Sequence, residues 1–418
     1  MDKENKKKYK ENPADTAAGK WLDEQKELAP KRRAADRALL ISLALIIAVF
    51  GVLIFVLQSE DFSEEENIML APFPELSVES LISGEFTQGI ASFYSDRFPA
   101  RNVFVGVKAW FERIMLRAEN NGVIEGKDGY IIDRLEYTES EYKTLETNLK
   151  AIEKFKSILE ENGIDAATVI LPRSVDVMTS KLPALYDTVR ADVAWDKVNA
   201  ISPDALILTD VLKTAADGGE YVWYKTDHHY TTLGAYYTYV ELADTLGYTP
   251  YPLDYFTEET VSDEFFGTTY SSSGMKWADS DTMTLFRFDG DENYTVSYPD
   301  SNEESLKGFY AREYFEKKDK YSAFLGGNRA RTRIILDGGN TDENGDRPTL
   351  LLIKDSFSHS LAPFLALHFD IELVDLRYYN KSVADLVLEI DPDKTLVIYG
   401  IDTLATSHEA RRIIMGIK

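Results

Sequence analysis

The sequence predicts an α/β sandwich with a mainly parallel sheet, preceded by a single transmembrane helix. Three observations predict it. Short, unbroken apolar runs recur from Ala167 onward, as strands do when both faces of a sheet are covered. Stretches with helical apolar spacing fall between them, and helix following strand repeatedly is the signature of α/β layering. The third is Ala38 to Leu57, ALLISLALIIAVFGVLIFVL, twenty consecutive residues without a charge. As a helix they span about 30 Å of hydrocarbon.

Residues 1–37 read as a cytoplasmic tail, polar, mixed in charge and mostly disordered. They hold eleven Lys and Arg against eight Asp and Glu, with Lys31, Arg32, Arg33 and Arg37 just before the span. Acidic residues follow it, beginning Glu60-Asp61. The positive-inside rule then puts the N-terminus in the cytoplasm and the bulk of the chain outside the cell membrane. A cleaved signal peptide would show a shorter apolar run and a small-residue site, whereas Gln58-Ser59-Glu60-Asp61 follows here.

Residues 58–118 read as an acidic tether and a helical neck. Ser80 to Tyr94 has helical spacing, and so does Asn102 to Leu116, with Val103, Val107, Trp110, Phe111 and Met115 on one side. The main domain is placed at 119–418. A turn at Gly126–Gly129 feeds a short strand at Ile131-Ile132. Tyr142 to Asn162 is a long amphipathic helix, Ala167 to Leu171 a buried strand, Ala205 to Leu208 a short strand, and Thr232 to Leu246 a helix. Further strands are expected at Arg333 to Leu336, Thr349 to Ile353, Ile371 to Val374 and Thr395 to Tyr399. Between about 250 and 325 the alternation breaks. That segment is rich in Asp, Ser, Thr, Tyr and Gly, and reads as an insertion suited to substrate-binding loops.

Composition narrows the function. The 418 residues carry 46 Lys and Arg against 71 Asp and Glu, a net charge of −25. Without the tail, residues 58–418 keep 35 basic and 63 acidic residues, a net −28. Nucleic-acid binding needs clustered cations, so no nucleic-acid partner is expected. The absence of cysteine excludes a disulfide scaffold, a thiolate metal site and a Cys nucleophile. Any imidazole chemistry must use His228, His229, His359, His368 or His408.

Two stretches can carry chemistry. In Lys225-Thr226-Asp227-His228-His229-Tyr230-Thr231-Thr232, an extended backbone would put Asp227 and His229 on one face and His228 on the other. A carboxylate there can fix the tautomer of its neighbour and stabilise its charged form, as a general base requires. The plainer reading is a His-rich approach to a helix capped by Thr231 or Thr232. In Ile353-Lys354-Asp355-Ser356-Phe357, a strand ends and a helix, Phe357 to Leu367, begins. A serine at that turn sits at the carboxyl end of a parallel sheet, above a helix N-terminus that can hold an oxyanion. Its plainer reading is an N-cap, shared with Asp355. A third stretch, Phe324-Leu325-Gly326-Gly327-Asn328, offers close backbone approach and an amide donor, or an ordinary turn. Asp227, His228 and His229 are also metal-ligand types. No H-E-x-x-H and no second carboxylate–His cluster accompanies them, so no metal and no cofactor is expected.

Together these stretches resemble the DHHW family of bacterial surface proteins, a group similar to the SGNH hydrolase-like proteins of alginate-type exopolysaccharide O-acetylation. The matching text runs from Lys225 to Tyr236, then Phe266-Gly267-Thr268, Phe324 to Asn328, Ile353 to Phe357, and Val374-Asp375-Leu376-Arg377-Tyr378. One departure is Tyr230, where the family name implies Trp. The resemblance implies a flavodoxin-like SGNH hydrolase fold with Ser356 as nucleophile, His229 as base and Asp227 as its partner. Asn328, Gly327 and Tyr230 become oxyanion or substrate candidates. It implies a membrane-anchored serine O-acetyltransferase or acetylesterase acting on a cell-surface or secreted glycan, with a multi-span membrane O-acyltransferase as partner. The alternative is a non-catalytic glycan-binding or scaffold protein of an envelope polysaccharide complex.

Overall fold

The computed structural model describes residues 17–57, 61–63, 68–133, 136–184, 186, 191–339 and 347–416. They form two compact units. One takes the described residues up to Ser63 with Met69–Arg101, and the other takes Ile68 with those of Asn102–Lys418.

In the first unit a single helix runs over Ala17–Val56. It is long and apolar enough to cross a membrane. Residues 17–37 belong to it, contrary to the expectation of a mostly disordered tail. That stretch is dominated by Ala, Lys, Glu, Arg and Leu and holds no β-branched residue. Extending an existing helix through such residues costs far less than nucleating one, even past Pro30. Residues 1–16 of the expected tail, and 58–60 and 64–67 of the expected tether, lie outside the described residues. The single helix expected over Ser80–Tyr94 is two, Val78–Ser83 and Glu85–Asp96. Gly84 separates them at φ +83°, a left-handed conformation that ends the first helix.

The second unit is an α/β fold around one large mixed sheet. Its strands are β1 (Asp165–Leu171), β2 (Leu206–Ile207), β3 (Tyr294–Ser297), β4 (Leu306–Lys307), β5 (Arg331–Leu336), β6 (Thr349–Lys354), β7 (Asp370–Val374) and β8 (Lys394–Gly400). The order across the sheet is β4-β3-β5-β7-β6-β8-β1-β2. From β7 to β2 all pairings are parallel, while β5 runs antiparallel to β7 and β3 and β4 extend that edge antiparallel. The sheet is therefore mixed, with four parallel pairings and three antiparallel ones. The short link between β3 and β4 has no room for a crossover helix, which a parallel neighbour would require.

In chain order the five parallel strands lie 2-1-5-3-4, not the 2-1-3-4-5 of a flavodoxin-like sheet. Counted from β6, and returning to β1 after β8, the order becomes 2-1-3-4-5.

Alternation along the strands splits the core into two faces. Leu350, Leu352, Leu396 and Ile398 face one way with Ala235, Tyr239, Leu361 and Phe364. Leu351, Ile353, Val397 and Tyr399 face the other with Leu145, Leu149, Ile152 and Phe155. The last four come from the helix Glu139–Glu161, which starts at a reciprocal cap between Thr138 and Glu141. The predicted Thr232–Leu246 helix is Thr232–Glu241 followed by Ala243–Leu246, with Gly247 closing it at φ +71°.

Candidate active site

Ser356 stands at the carboxyl end of β6, at the turn into the helix Ser358–Leu365. The turn is pinned by the buried Asp355. Its Oδ1 accepts the Phe357 N–H at 3.2 Å, and its Oδ2 accepts the Gly400 N–H at 2.8 Å and the Thr403 hydroxyl at 2.7 Å. Asp355 thus ties the turn to the end of the neighbouring strand, and Ser356, half-buried, keeps its hydroxyl free of capping duty. The Ser356 N–H meets no acceptor among the described residues.

The imidazole of His229 bridges the two motifs. Its Nε2 lies 2.7 Å from Ser356 Oγ and its Nδ1 lies 2.5 Å from Asp227 Oδ1. The backbone here is a tight loop closed by an antiparallel bridge between Trp223 and Tyr230, not an extended segment. Asp227 reaches its neighbour by an Asx-type turn, with Oδ1 also accepting the His229 N–H at 3.0 Å. The other oxygen, Oδ2, accepts the Thr268 N–H at 2.8 Å and the Thr268 hydroxyl at 3.1 Å. Gly267 permits this, because a Cβ there would come within 2.6 Å of Asp227 Cγ.

Packing fixes the imidazole plane. Tyr321 stacks on it, with centroids 3.9 Å apart and 8° between planes, and Phe357 meets it at 4.9 Å and 65°. The Tyr321 hydroxyl donates to the Ser356 carbonyl at 3.2 Å and lies 3.1 Å from Ser360 Oγ. His228 bonds the Thr268 hydroxyl through Nδ1, and its ring lies 3.8 Å from that of His229.

Electrostatics follow from this geometry. Burial opposes ionisation of Asp227. The charges of His229 and His228 and the bonds from His229 and Thr268 outweigh it, holding the carboxyl well below the usual carboxylate range. His228 is pushed down by burial and by the nearby His229. Asp227, His228 and His229 present ligand atoms within 4.8 Å of one another. Both ring nitrogens of His229 are already engaged, one with Asp227 and one with Ser356.

The remaining predicted residues fare differently. Gly327, at φ +86°, donates its N–H to the Phe324 carbonyl at 3.1 Å, so this donor is committed to a turn. Tyr230 is fully buried and offers no stacking face. Its hydroxyl donates to the Phe357 carbonyl at 2.9 Å, which props the turn after Ser356. Asn328 is exposed, and its carboxamide oxygen accepts from Arg377 at 3.2 Å. Arg377 is held by Asp375, which also meets the buried Lys354 at 3.3 Å, and Lys354 Nζ lies 2.6 Å from His359 Nε2.

Sequence reasoning gave Thr268 and Tyr321 no part in holding this arrangement, and Asp355 only a share in a helix cap. Asp355 stands next to the serine, and Phe266-Gly267-Thr268 stood out only as a matching stretch. Tyr321 carries no local signal, since its partners are 35 to 39 residues away or more.

Residues 197–374 match the DHHW protein family. Over 178 residues, 40% of the chain, the sequence is 28% identical to the probable alginate O-acetylase AlgJ of Pseudomonas fluorescens. That match covers 44% of the relative, so the chain spans less than half the length of the curated relatives it matches. A DHHW family protein from Eubacterium siraeum superposes with a TM-score of 0.56 at 20% identity, over 71% of this chain and 95% of that one. PatB1 of Bacillus cereus gives 0.55 at 17% identity, over 68% and 98%. These two likenesses concern the fold. The chain carries a DHHW family domain across residues 197–374, set in an α/β fold similar to that of the E. siraeum protein and PatB1.

Proposed function

We propose that the chain is a membrane-anchored, extracellular serine acyl-ester enzyme that transfers acetyl groups to, or removes them from, a cell-surface or secreted polysaccharide. The observation that carries the reading is the unbroken chain of contacts from Asp227 through His229 to Ser356 Oγ. In the proposed reaction His229 Nε2 takes the proton of Ser356 Oγ as that oxygen attacks an acetyl ester carbonyl. The tetrahedral intermediate collapses, its C–O bond to the leaving alcohol breaks, and the alcohol takes the proton from His229. A sugar hydroxyl or water, deprotonated by His229, then attacks the acetyl-serine; the bond from the acetyl carbon to Ser356 Oγ breaks, and Oγ takes the proton back from His229. Asp227, kept ionised, stabilises the imidazolium in both halves. The Ser356 N–H and the Asn328 amide nitrogen are the proposed oxyanion donors.

The relatives support the substrate class: the curated ones are named probable alginate O-acetylases. The apolar stretch Ala38 to Leu57 supports the anchor, with a multi-span membrane O-acyltransferase as the proposed acetyl source. The test is turnover of an acetyl ester by Ser356→Ala and His229→Ala. Loss in both supports the reading, and unchanged turnover in both ends it.

A further inference from the structure

The helix Arg101–Ile114 presents an apolar face that is largely exposed. At about 100° per residue, Val103, Phe104, Val107, Trp110, Phe111, Ile114 and Met115 fall on one arc of about 140°. They are well exposed: Val107 61%, Phe111 64% and Ile114 72%. The opposite side is the docked one. Gly106 and Ala109 are buried there, and small residues let the helix sit close to its support. Trp110 meets Trp277 at 4.8 Å, Lys108 reaches Asn121 at 2.7 Å, and Arg113 pairs with Glu125 at 2.8 Å. The helix is thus fixed to the domain with its apolar side turned outward.

Charge and connectivity indicate what covers that side. Residues 101–118 hold Arg101, Lys108, Arg113 and Arg117 against Glu112 alone, within an exterior segment of net −28. By helical position Arg101 and Lys108 lie along one border of the apolar arc and Arg113 along the other, and Arg117 follows just past the helix end. Apolar residues with a Trp, bordered by cations on both sides, are the pattern of a helix lying in a bilayer interface. Only 44 residues separate Val56, the end of the apolar helix, from Arg101. A domain tethered that closely meets its own bilayer at high effective concentration.

We propose that the helix Arg101–Ile114 is a second membrane contact. Its apolar face lies in the interface of the bilayer that the Ala17–Val56 helix crosses, with Lys108 and Arg117, whose side chains are 52% and 70% exposed, at the anionic headgroups. The proposal rests on the anchor reading, and its test separates the two. The chain has no cysteine, so single nitroxide-labelled cysteines can be placed in the full chain without background. Val49→Cys reports the span, Val107→Cys and Phe111→Cys the apolar face, and Leu388→Cys an exposed position on a different helix. In proteoliposomes of mixed neutral and anionic phospholipid, collision with oxygen rises at 107 and 111. Collision with a water-soluble nickel chelate falls there about fivefold or more relative to 388. Lys108→Glu with Arg117→Glu reverses most of that fall, whereas neutral-only vesicles weaken it.

A label at 49 that stays open to the nickel chelate overturns the anchor reading itself. With 49 in lipid, three results overturn the interfacial helix. Labels at 107 and 111 open to the nickel chelate place the face in water. Spin–spin broadening there places a second copy on it. Shielding from both reagents places protein on it.

Discussion

Substituting Gly267 by alanine probes how far the site depends on the seat of Asp227. An added Cβ would come within 2.6 Å of Asp227 Cγ, and closer still to its Cβ and Oδ2. Ordinary contact begins at 3.4 Å, so the closest of these atoms must retreat by about 1 Å or more. That retreat stretches the Thr268 N–H bond of 2.8 Å and pulls Oδ1 from its 2.5 Å contact with His229 Nδ1. A misplacement near 1 Å in a reacting array costs roughly 10²-fold in rate. Weakening a hydrogen bond to a buried carboxylate costs about 1–3 kcal/mol of stability. The assay is kcat/KM on an aryl acetate beside a thermal melt. A fall of roughly 10²-fold in protein that still melts cooperatively agrees with the account. Wild-type turnover in folded Gly267→Ala would refute it, since the position of Asp227 would then not matter.

Asp227→Asn keeps the shape but removes the charge that supports the imidazolium, and kcat/KM should fall by about 10⁴ in folded protein. Tyr321→Phe retains the stack on His229 and removes one hydroxyl, so turnover should stay within about tenfold and stability fall by about 1 kcal/mol. Tyr321→Ala removes the stack and should destabilise by about 3–5 kcal/mol, read in a urea melt. Burial pushes the Asp402 carboxyl up to about 7, above the roughly 3.9 of an unfolded chain. The folded state therefore binds the extra proton, and this contribution to stability is full below about pH 4 and lost as pH rises through about 7. Melting temperatures between those limits should fall less with pH in Asp402→Asn than in wild type, and an identical slope would count against the burial argument. Asp227 is shifted downward, so its contribution is lost only on acidification below the ordinary carboxylate range.

What was legible in the sequence was what local pattern encodes. Unbroken apolar runs marked β6, β7 and β8 because both faces of those strands are covered. The rarity of histidine pointed to residues 227–229, and the strand-to-helix turn pointed to Ser356. What was not legible depends on partners distant in sequence. Whether β5 pairs parallel or antiparallel is decided by its neighbour across the sheet, which Arg331–Leu336 does not encode. The pairing of Asp227 and His229 was anticipated through an extended strand, but an Asx-type turn with the seat at Gly267 produces it. Tyr230 was an oxyanion or substrate candidate by its place in the motif, whereas its hydroxyl and ring are used to build the turn after Ser356. Gly327 misled for a related reason, since paired glycines that permit close approach also close their own turns.

The order of the motifs makes sense in the sheet. Asp227 and His229 precede Ser356 in the chain, yet β6 lies inside the block of parallel strands, next but one to β1. Contact across the end of the sheet, not order along the chain, brings the three side chains together.

The most direct test of the central claim is to trap the acyl-enzyme. Full-length protein is mixed with an aryl acetate, quenched in acid within the first turnover and digested, and the Ser356 peptide is examined by mass spectrometry. The account predicts one acetyl group on Ser356, lost in Ser356→Ala and not accumulated in His229→Ala. A Ser356 peptide that stays unmodified while the wild-type protein turns over, with turnover retained in Ser356→Ala, would contradict it.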